Sequence, residues 1–168
     1  MSVVVTITDP DLRRCAGLAT LRIAKWGKHH RNYNIPLNPQ LIRRINRIGV
    51  IAEYAVAQAI GADWSWDLDW DDIGPDQDVN GIQVRGTDRD NGCLITHDYD
   101  PEGPYVLVTL AITGPRTVEA TLRGWLDLND CCDALHWRDD VPYPAYFVPQ
   151  IALHPIDTLV THTRRRDT

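Results

Sequence analysis

Residues 75–87 read PDQDVNGIQVRGT, and this stretch decides how the chain is interpreted. Asn80-Gly81 is the strongest short-range signal for a two-residue type I′ hairpin, because both central positions of that turn need positive φ. With the turn in place, Val79 pairs with Ile82, Asp78 lies opposite Gln83, and Asp76 lies opposite Arg85. Side chains alternate faces along a strand and cross-strand partners share a face. One face therefore carries Val79, Ile82 and Val84; the other carries Asp76, Asp78, Gln83, Arg85 and Thr87. A register slip of one residue would bury the aspartates, so the apolar set pins the arrangement. The polar face gathers oxygen donors beside a guanidinium. Mg²⁺ takes oxygen ligands, keeps several waters and typically uses one or two carboxylates. Asp78 can supply a carboxylate oxygen, Gln83 an amide oxygen, and a carbonyl near Val84 the remainder of the protein's share. An arginine two residues on suits a phosphate that shares the cation. The same residues also suit an exposed polar hairpin closed by an Asp76–Arg85 ion pair.

Upstream, Asn38-Pro39 is a helix start signal and Gly61 a stop signal, which predicts a helix from Pro39 to Ile60. At 100° per residue, Leu41, Ile42, Ile45, Ile48, Ala52, Ala55, Val56 and Ala59 share one broad apolar arc. Arg43, Arg44 and Arg47 lie opposite, a candidate contact for nucleic-acid phosphates. Glu53 projects from the rim of the arc within GVIAEYAVAQAI, one turn after Gly49. A carboxylate in that setting is costly unless it is paired or binds a cation.

The rest of the chain reads as alternating elements. VVVTIT at 3–8 is a strand, and Asp9-Pro10 opens a helix to about Lys28 with Leu12, Cys15, Leu18, Ala19 and Ile23 on one face. DWSWDLDWDD at 63–72 alternates tryptophan or leucine with acids or serine, the pattern of a half-buried strand packing its tryptophans inward. Further strands are expected at 92–97, 105–112, 117–126 and 145–150, with short helices at 128–136 and 155–161. One domain over 1–168 is expected: an N-terminal strand and helix extension over 1–38, a core over 39–160 and a frayed tail over 161–168.

Composition narrows the function classes. At 168 residues the chain can bury a core without metal or disulfide support. No apolar run is long enough to span a bilayer, and no basic n-region precedes Asp9, so no membrane partner and no secretory signal are expected. Cys15, Cys93, Cys131 and Cys132 form no C-x-x-C pattern, which fits free thiols in a reducing cytoplasm. Cys131, Cys132 and His136 do not match a known zinc-ligand spacing. His29, His30, His97, His136 and His154 show neither metal nor triad spacing, and no glycine-rich phosphate loop is present. The formal charge is −6, but it is segregated: Leu12 to Ala52 holds nine basic residues and no acid, whereas Asp63 to Glu102 holds twelve acids against Arg85 and Arg89. A basic flank beside an acidic centre fits a protein that touches phosphates on one surface and holds a cation nearby.

Over residues 45–150 the sequence resembles the PD-(D/E)XK nuclease superfamily, the restriction-endonuclease-like fold. The resemblance lies in an ordered set: a helix with an inward Glu53, an Asp78 opening a hairpin with Pro75-Asp76 just before it, then Gln83-Val84-Arg85 in the place of (D/E)-x-K. It implies an α/β (α+β) fold with a mixed sheet flanked by helices, and hydrolysis of DNA phosphodiesters with Mg²⁺ or Mn²⁺. By that resemblance Asp78 is the central metal ligand, Gln83 the second, and Glu53 an outer ligand or the group orienting a metal-bound water. Arg85 stands where the family has a lysine, with Asp76 and Thr87 as possible additions. Gln83 removes a negative charge from the site, and Arg85 cannot act as a base because it stays protonated. The resemblance therefore also accommodates an inactive nuclease-fold protein that binds DNA or a protein partner. A homodimer is a further expectation. An unrelated α/β enzyme or interaction module remains if 75–87 forms no hairpin.

Overall fold

The computed structural model describes residues 2–26, 38–64, 66 and 78–159. Strand β1 (Val3–Thr8) leads into helix α1 (Asp9–Trp26), and helix α2 (Pro39–Ile60) follows. Strands β2 (Gln83–Thr87), β3 (Leu94–Thr96), β4 (Pro104–Gly114) and β5 (Thr117–Asp127) come next. The one-turn helix α3 (Leu128–Cys131) and the short strands β6 (Trp137–Arg138) and β7 (Ala145–Val148) complete the regular structure, apart from single 3₁₀ turns.

The ends of α2 are the expected ones, and the sequence explains them. The Asn38 side chain accepts the Gln40 N–H at 2.9 Å, Pro39 sits at the first helical position, and Gly61 closes the helix with φ 68°. Burial along α2 differs from the expected arc. Val50 to Glu53 and Ala55 to Ala57 are buried, whereas Leu41 is 41% and Ile45 52% exposed, and Ala59 is exposed. Only the second half of the helix crosses the sheet.

The main sheet is mixed, with strand order β1-β5-β4-β2. β1 and β4 run antiparallel to β5, and β2 lies parallel to β4 at the edge of the sheet among the described residues. A second, antiparallel sheet has the order β3-β7-β6. The alternation along β5 is regular: Val118, Ala120 and Leu122 are buried while Thr117, Glu119 and Thr121 are not. Two apolar clusters result. One joins α1 and α2 to Ile7, Val84, Val106, Val108, Ala120 and Leu122. The other joins Leu94, Tyr105, Leu107, Leu126, Leu128, Cys131 and Val148. Helices thus cover one face of the main sheet, and the small sheet with α3 covers the other. The mixed α/β class with a mixed main sheet is the expected one, and residues 88–126 form strands and turns with no long helix among them.

β1 and α1, expected as an extension, contribute Ile7, Leu12, Cys15, Leu18 and Ala19 to the principal core. Among 62–64 and 66 no strand forms; Trp64 and Trp66 pack on that core and against Tyr54, with ring centroids 5.9 and 5.0 Å away. The remainder of the predicted 63–72 strand, His29, His30, Asp76 and the tail lie outside the described residues. All four cysteines are free, and burial pushes the Cys15 and Cys131 thiols up to about 12. No helix among the described residues is long and apolar enough to cross a membrane.

Candidate functional site

The Asn80-Gly81 turn forms with the φ values its residues predict, 46° and 80°. Val79 and Ile82 exchange both backbone hydrogen bonds, at 3.0 and 2.9 Å. Their side chains and Val84 are buried in the principal core, as the apolar pattern requires. Residues 76 and 77 of the expected partner strand lie outside the described residues. The Val84 N–H donates to Asp78 Oδ2 at 2.7 Å, so the Asp78 side chain caps the start of β2. The strand takes its other neighbour from far along the chain: Gln83 is in register with Tyr105, and Arg85 with Leu107.

Alternation along β2 sets what each residue can reach. Val84 faces the helices, and Gly86 lies so near them that an added Cβ would stand 2.8 Å from Ala52 Cβ and 3.0 Å from both Ile48 Cγ2 and Ile48 O. Only glycine lets α2 press this closely on the strand. Gln83, Arg85 and Thr87 consequently belong to the opposite face. The Arg85 guanidinium lies over the Tyr105 ring at 5.0 Å, a cation–π contact. It also donates to Asp100 Oδ2 at 3.2 Å and approaches Asp78 Oδ2 at 3.9 Å. The same Asp100 oxygen accepts the His97 backbone N–H at 3.0 Å, and the Tyr105 hydroxyl donates to Pro101 O at 2.7 Å. The 97–101 turn is thereby fastened to the strand, and Arg85 is held from three directions.

On the helical side, Glu53 is 6% exposed and forms a two-pronged pair with Arg22 of α1, the two N–H donors 2.7 and 2.6 Å from its two oxygens. Burial pushes the Glu53 carboxyl up to about 7, against the stabilising pull of Arg22, and the Asp78 charge pushes it the same way. Burial also raises Asp78 above the ordinary carboxylate range, opposed by the Val84 hydrogen bond, Arg85 and Arg22. Arg22 loses from its own burial, but its pairing with Glu53 more than compensates and keeps the guanidinium charged. The sheet edge thus carries two carboxylates, Glu53 and Asp78, and two guanidiniums, Arg22 and Arg85, with Asp78 acting on all three others. Asp100, on Arg85, adds a third carboxylate to the two guanidiniums.

The structure brings Glu53, Asp78 and Arg85 into one electrostatic group. Gln83 is buried beside it, on the face of β2 away from α2. Thr87 does not join the group: its hydroxyl accepts the Arg89 N–H at 3.2 Å, and it lines a separate cavity of about 230 Å³ with Leu41, Arg44, Ile45, Ile48, Gly86, Asp88 and Arg89. Arg43 and Arg47 are exposed on α2, while Arg44 is paired with Asp88. Sequence reasoning missed Arg22 and Asp100. Arg22 had a legible signal, since it follows Cys15 by seven residues and Leu18 by four and so belongs to the buried face of α1. Asp100 had none, because its role depends on a turn folding back to β2.

For a divalent cation the donor set is hard oxygen throughout: Asp78, Glu53 and the Gln83 amide. That chemistry suits Mg²⁺ or Mn²⁺ with several retained waters. Among the described residues no group of three His, Cys, Asp or Glu side chains gathers that could hold a metal ion. Both Glu53 oxygens are engaged by Arg22, so Glu53 could reach an ion only after Arg22 has left it. No family model, curated protein or solved structure matches the chain. The fold and site together define a mixed α/β protein with a carboxylate–arginine centre at the open edge of its main sheet.

Proposed function

We propose that the chain is a metal-dependent nuclease of the restriction-endonuclease-like fold, hydrolysing DNA phosphodiesters at the edge of β2. The observation that carries this reading is that a buried helical carboxylate, Glu53, feels the charge of Asp78, which stands shortly before the Gln83-Val84-Arg85 strand. Asp78 would hold Mg²⁺ or Mn²⁺ at the edge of β2, with Glu53 from the helical face or the Gln83 amide oxygen from the opposite face as the second protein ligand. The bound ion would supply a water of lowered pKa and charge neutralisation at the phosphate. Arg85, fixed by Asp100, Asp78 and Tyr105, offers a guanidinium already oriented to grip two phosphate oxygens. It positions and neutralises; it takes no proton. Exposed Arg43 and Arg47 on α2 are available to flanking phosphates, and a homodimer would double that surface.

A second reading, a catalytically silent nuclease-fold protein that binds DNA or a protein partner, is favoured by one observation. Both Glu53 oxygens are already engaged by Arg22, and Arg85 stands against Asp78 and Asp100, so each carboxylate of the centre has a guanidinium beside it.

Cleavage assays with Mg²⁺ or Mn²⁺ on plasmid, linear, single-stranded and branched DNA test the proposal, comparing the wild type with Asp78→Ala. Metal-dependent cutting that vanishes in the variant is the expected result. Cutting that survives it, or no cutting on any substrate, removes the nuclease reading; DNA binding unaffected by chelator would then favour the silent one.

A further inference from the structure

The place a cation would take on Glu53 is already filled by a cation that the chain supplies itself. Both Glu53 oxygens are engaged by the Arg22 fork, at 2.7 and 2.6 Å. The Glu53 side chain is 7% exposed and that of Arg22 22% exposed, so the guanidinium closes the approach to the carboxylate. Asp78, the other carboxylate of the centre, acts on the same guanidinium. We propose that Arg22 is an internal counter-cation whose pairing with Glu53 excludes a divalent ion, so that the Arg22-paired and metal-loaded states are alternatives. The inference rests on the metal centre read above and says what governs its occupancy.

Three physical points carry it. An arginine stays protonated, so Arg22 cannot yield to an incoming ion by losing its charge. A divalent ion and a guanidinium on one buried carboxylate repel strongly, because water screens little there. The alternative is movement of the charged head. Arg22 stands one turn from the C-terminus of α1, and its long stem can carry the charged head outward while its methylenes stay packed. Once the head has left, Glu53 and Asp78 regain an uncompensated negative charge that a divalent ion satisfies.

The test measures Mn²⁺ binding by calorimetry and thermal melting with and without Mn²⁺, on the full chain. Wild type is compared with Arg22→Met, which keeps the stem volume and removes the charge, and with Arg22→Met combined with Asp78→Asn. Arg22→Met is expected to bind Mn²⁺ at least tenfold more tightly than wild type and to gain more in melting temperature from the ion. Adding Asp78→Asn is expected to abolish that gain. If Arg22→Met does not fold, Arg22→Gln carries the same comparison, with an amide left to hydrogen-bond Glu53. Wild type and the Arg22 variant binding Mn²⁺ within threefold of each other overturns the counter-cation role and leaves the metal centre standing. Tighter binding that survives Asp78→Asn also overturns it, because the ion then sits elsewhere. No binding by either protein overturns the metal centre and this inference together.

Discussion

Gly86 is the point where the distance between α2 and β2 can be tested directly. Gly86→Ala adds one methyl group, and its Cβ would stand 2.8 Å from Ala52 Cβ, 3.0 Å from Ile48 Cγ2 and 3.0 Å from Ile48 O. The first two contacts are at least half an ångström inside the optimal carbon–carbon separation of ~3.5–4.0 Å. The third is with helix backbone, which cannot swing aside as a side-chain tip can. Relief requires α2 to move outward, and overpacking of this kind costs about 1–3 kcal/mol. Replacing glycine by alanine in a strand returns ~0.4–1 kcal/mol by restricting the unfolded chain. A net loss of roughly 1–2 kcal/mol follows, and in a chain of this size each kcal/mol moves the melting temperature by about 2–4 °C. Thermal melts by circular dichroism should therefore place Gly86→Ala roughly 2–8 °C below wild type. Ala52→Gly removes one of the three contacts but leaves both Ile48 contacts, so the double variant should show partial coupling and not full rescue. A Gly86→Ala protein that melts within a degree of wild type would refute the close approach of α2 to β2, and with it the placement of Glu53 beside Asp78.

Four further outcomes follow from the same geometry. The folded-state pKa of Glu53 is raised from 4.5 to about 7, so between those values the folded state binds more protons than the unfolded one and stability falls as pH rises. The fall amounts to roughly 3 kcal/mol and levels off above about pH 7; urea titrations from pH 4 to 8 should show Glu53→Gln losing this slope, and an unchanged slope would contradict the burial of the carboxylate. Gly81→Ala must hold an alanine at φ 80°, at a cost of about 1–2 kcal/mol, visible as an earlier unfolding midpoint. Asp100→Asn weakens the hold on Arg85, and under the nuclease proposal it should raise KM for DNA more than it lowers kcat; equal effects on both would assign Asp100 another role. Under the same proposal, Gln83→Glu combined with Arg85→Lys introduces the residues of a (D/E)-x-K pattern and should increase Mg²⁺-dependent cleavage relative to wild type.

Much of the architecture was legible in the sequence because it depends on neighbours in the chain. Asn38, Pro39 and Gly61 mark both ends of α2 through hydrogen bonds and φ values confined to single turns. Asn80-Gly81 specifies its turn in the same way, and the alternation of Val79, Ile82 and Val84 settles which of them enter the core. Glu53 stood out because a carboxylate on the rim of an apolar helix needs a partner. The identity of that partner was not available locally. Arg22 lies 31 residues away on another helix, and only the packing of α1 on α2 brings its guanidinium to Glu53. Likewise, only the parallel pairing of β2 with β4, far along the chain, brings the Arg85 guanidinium over the Tyr105 ring. Tertiary pairing also leaves Leu41 and Ile45 exposed, since a straight helix crosses a twisted sheet over only part of its length. Periodicity shows which side of an element is apolar, and the fold alone decides how much of that side meets a neighbour and which charges meet there.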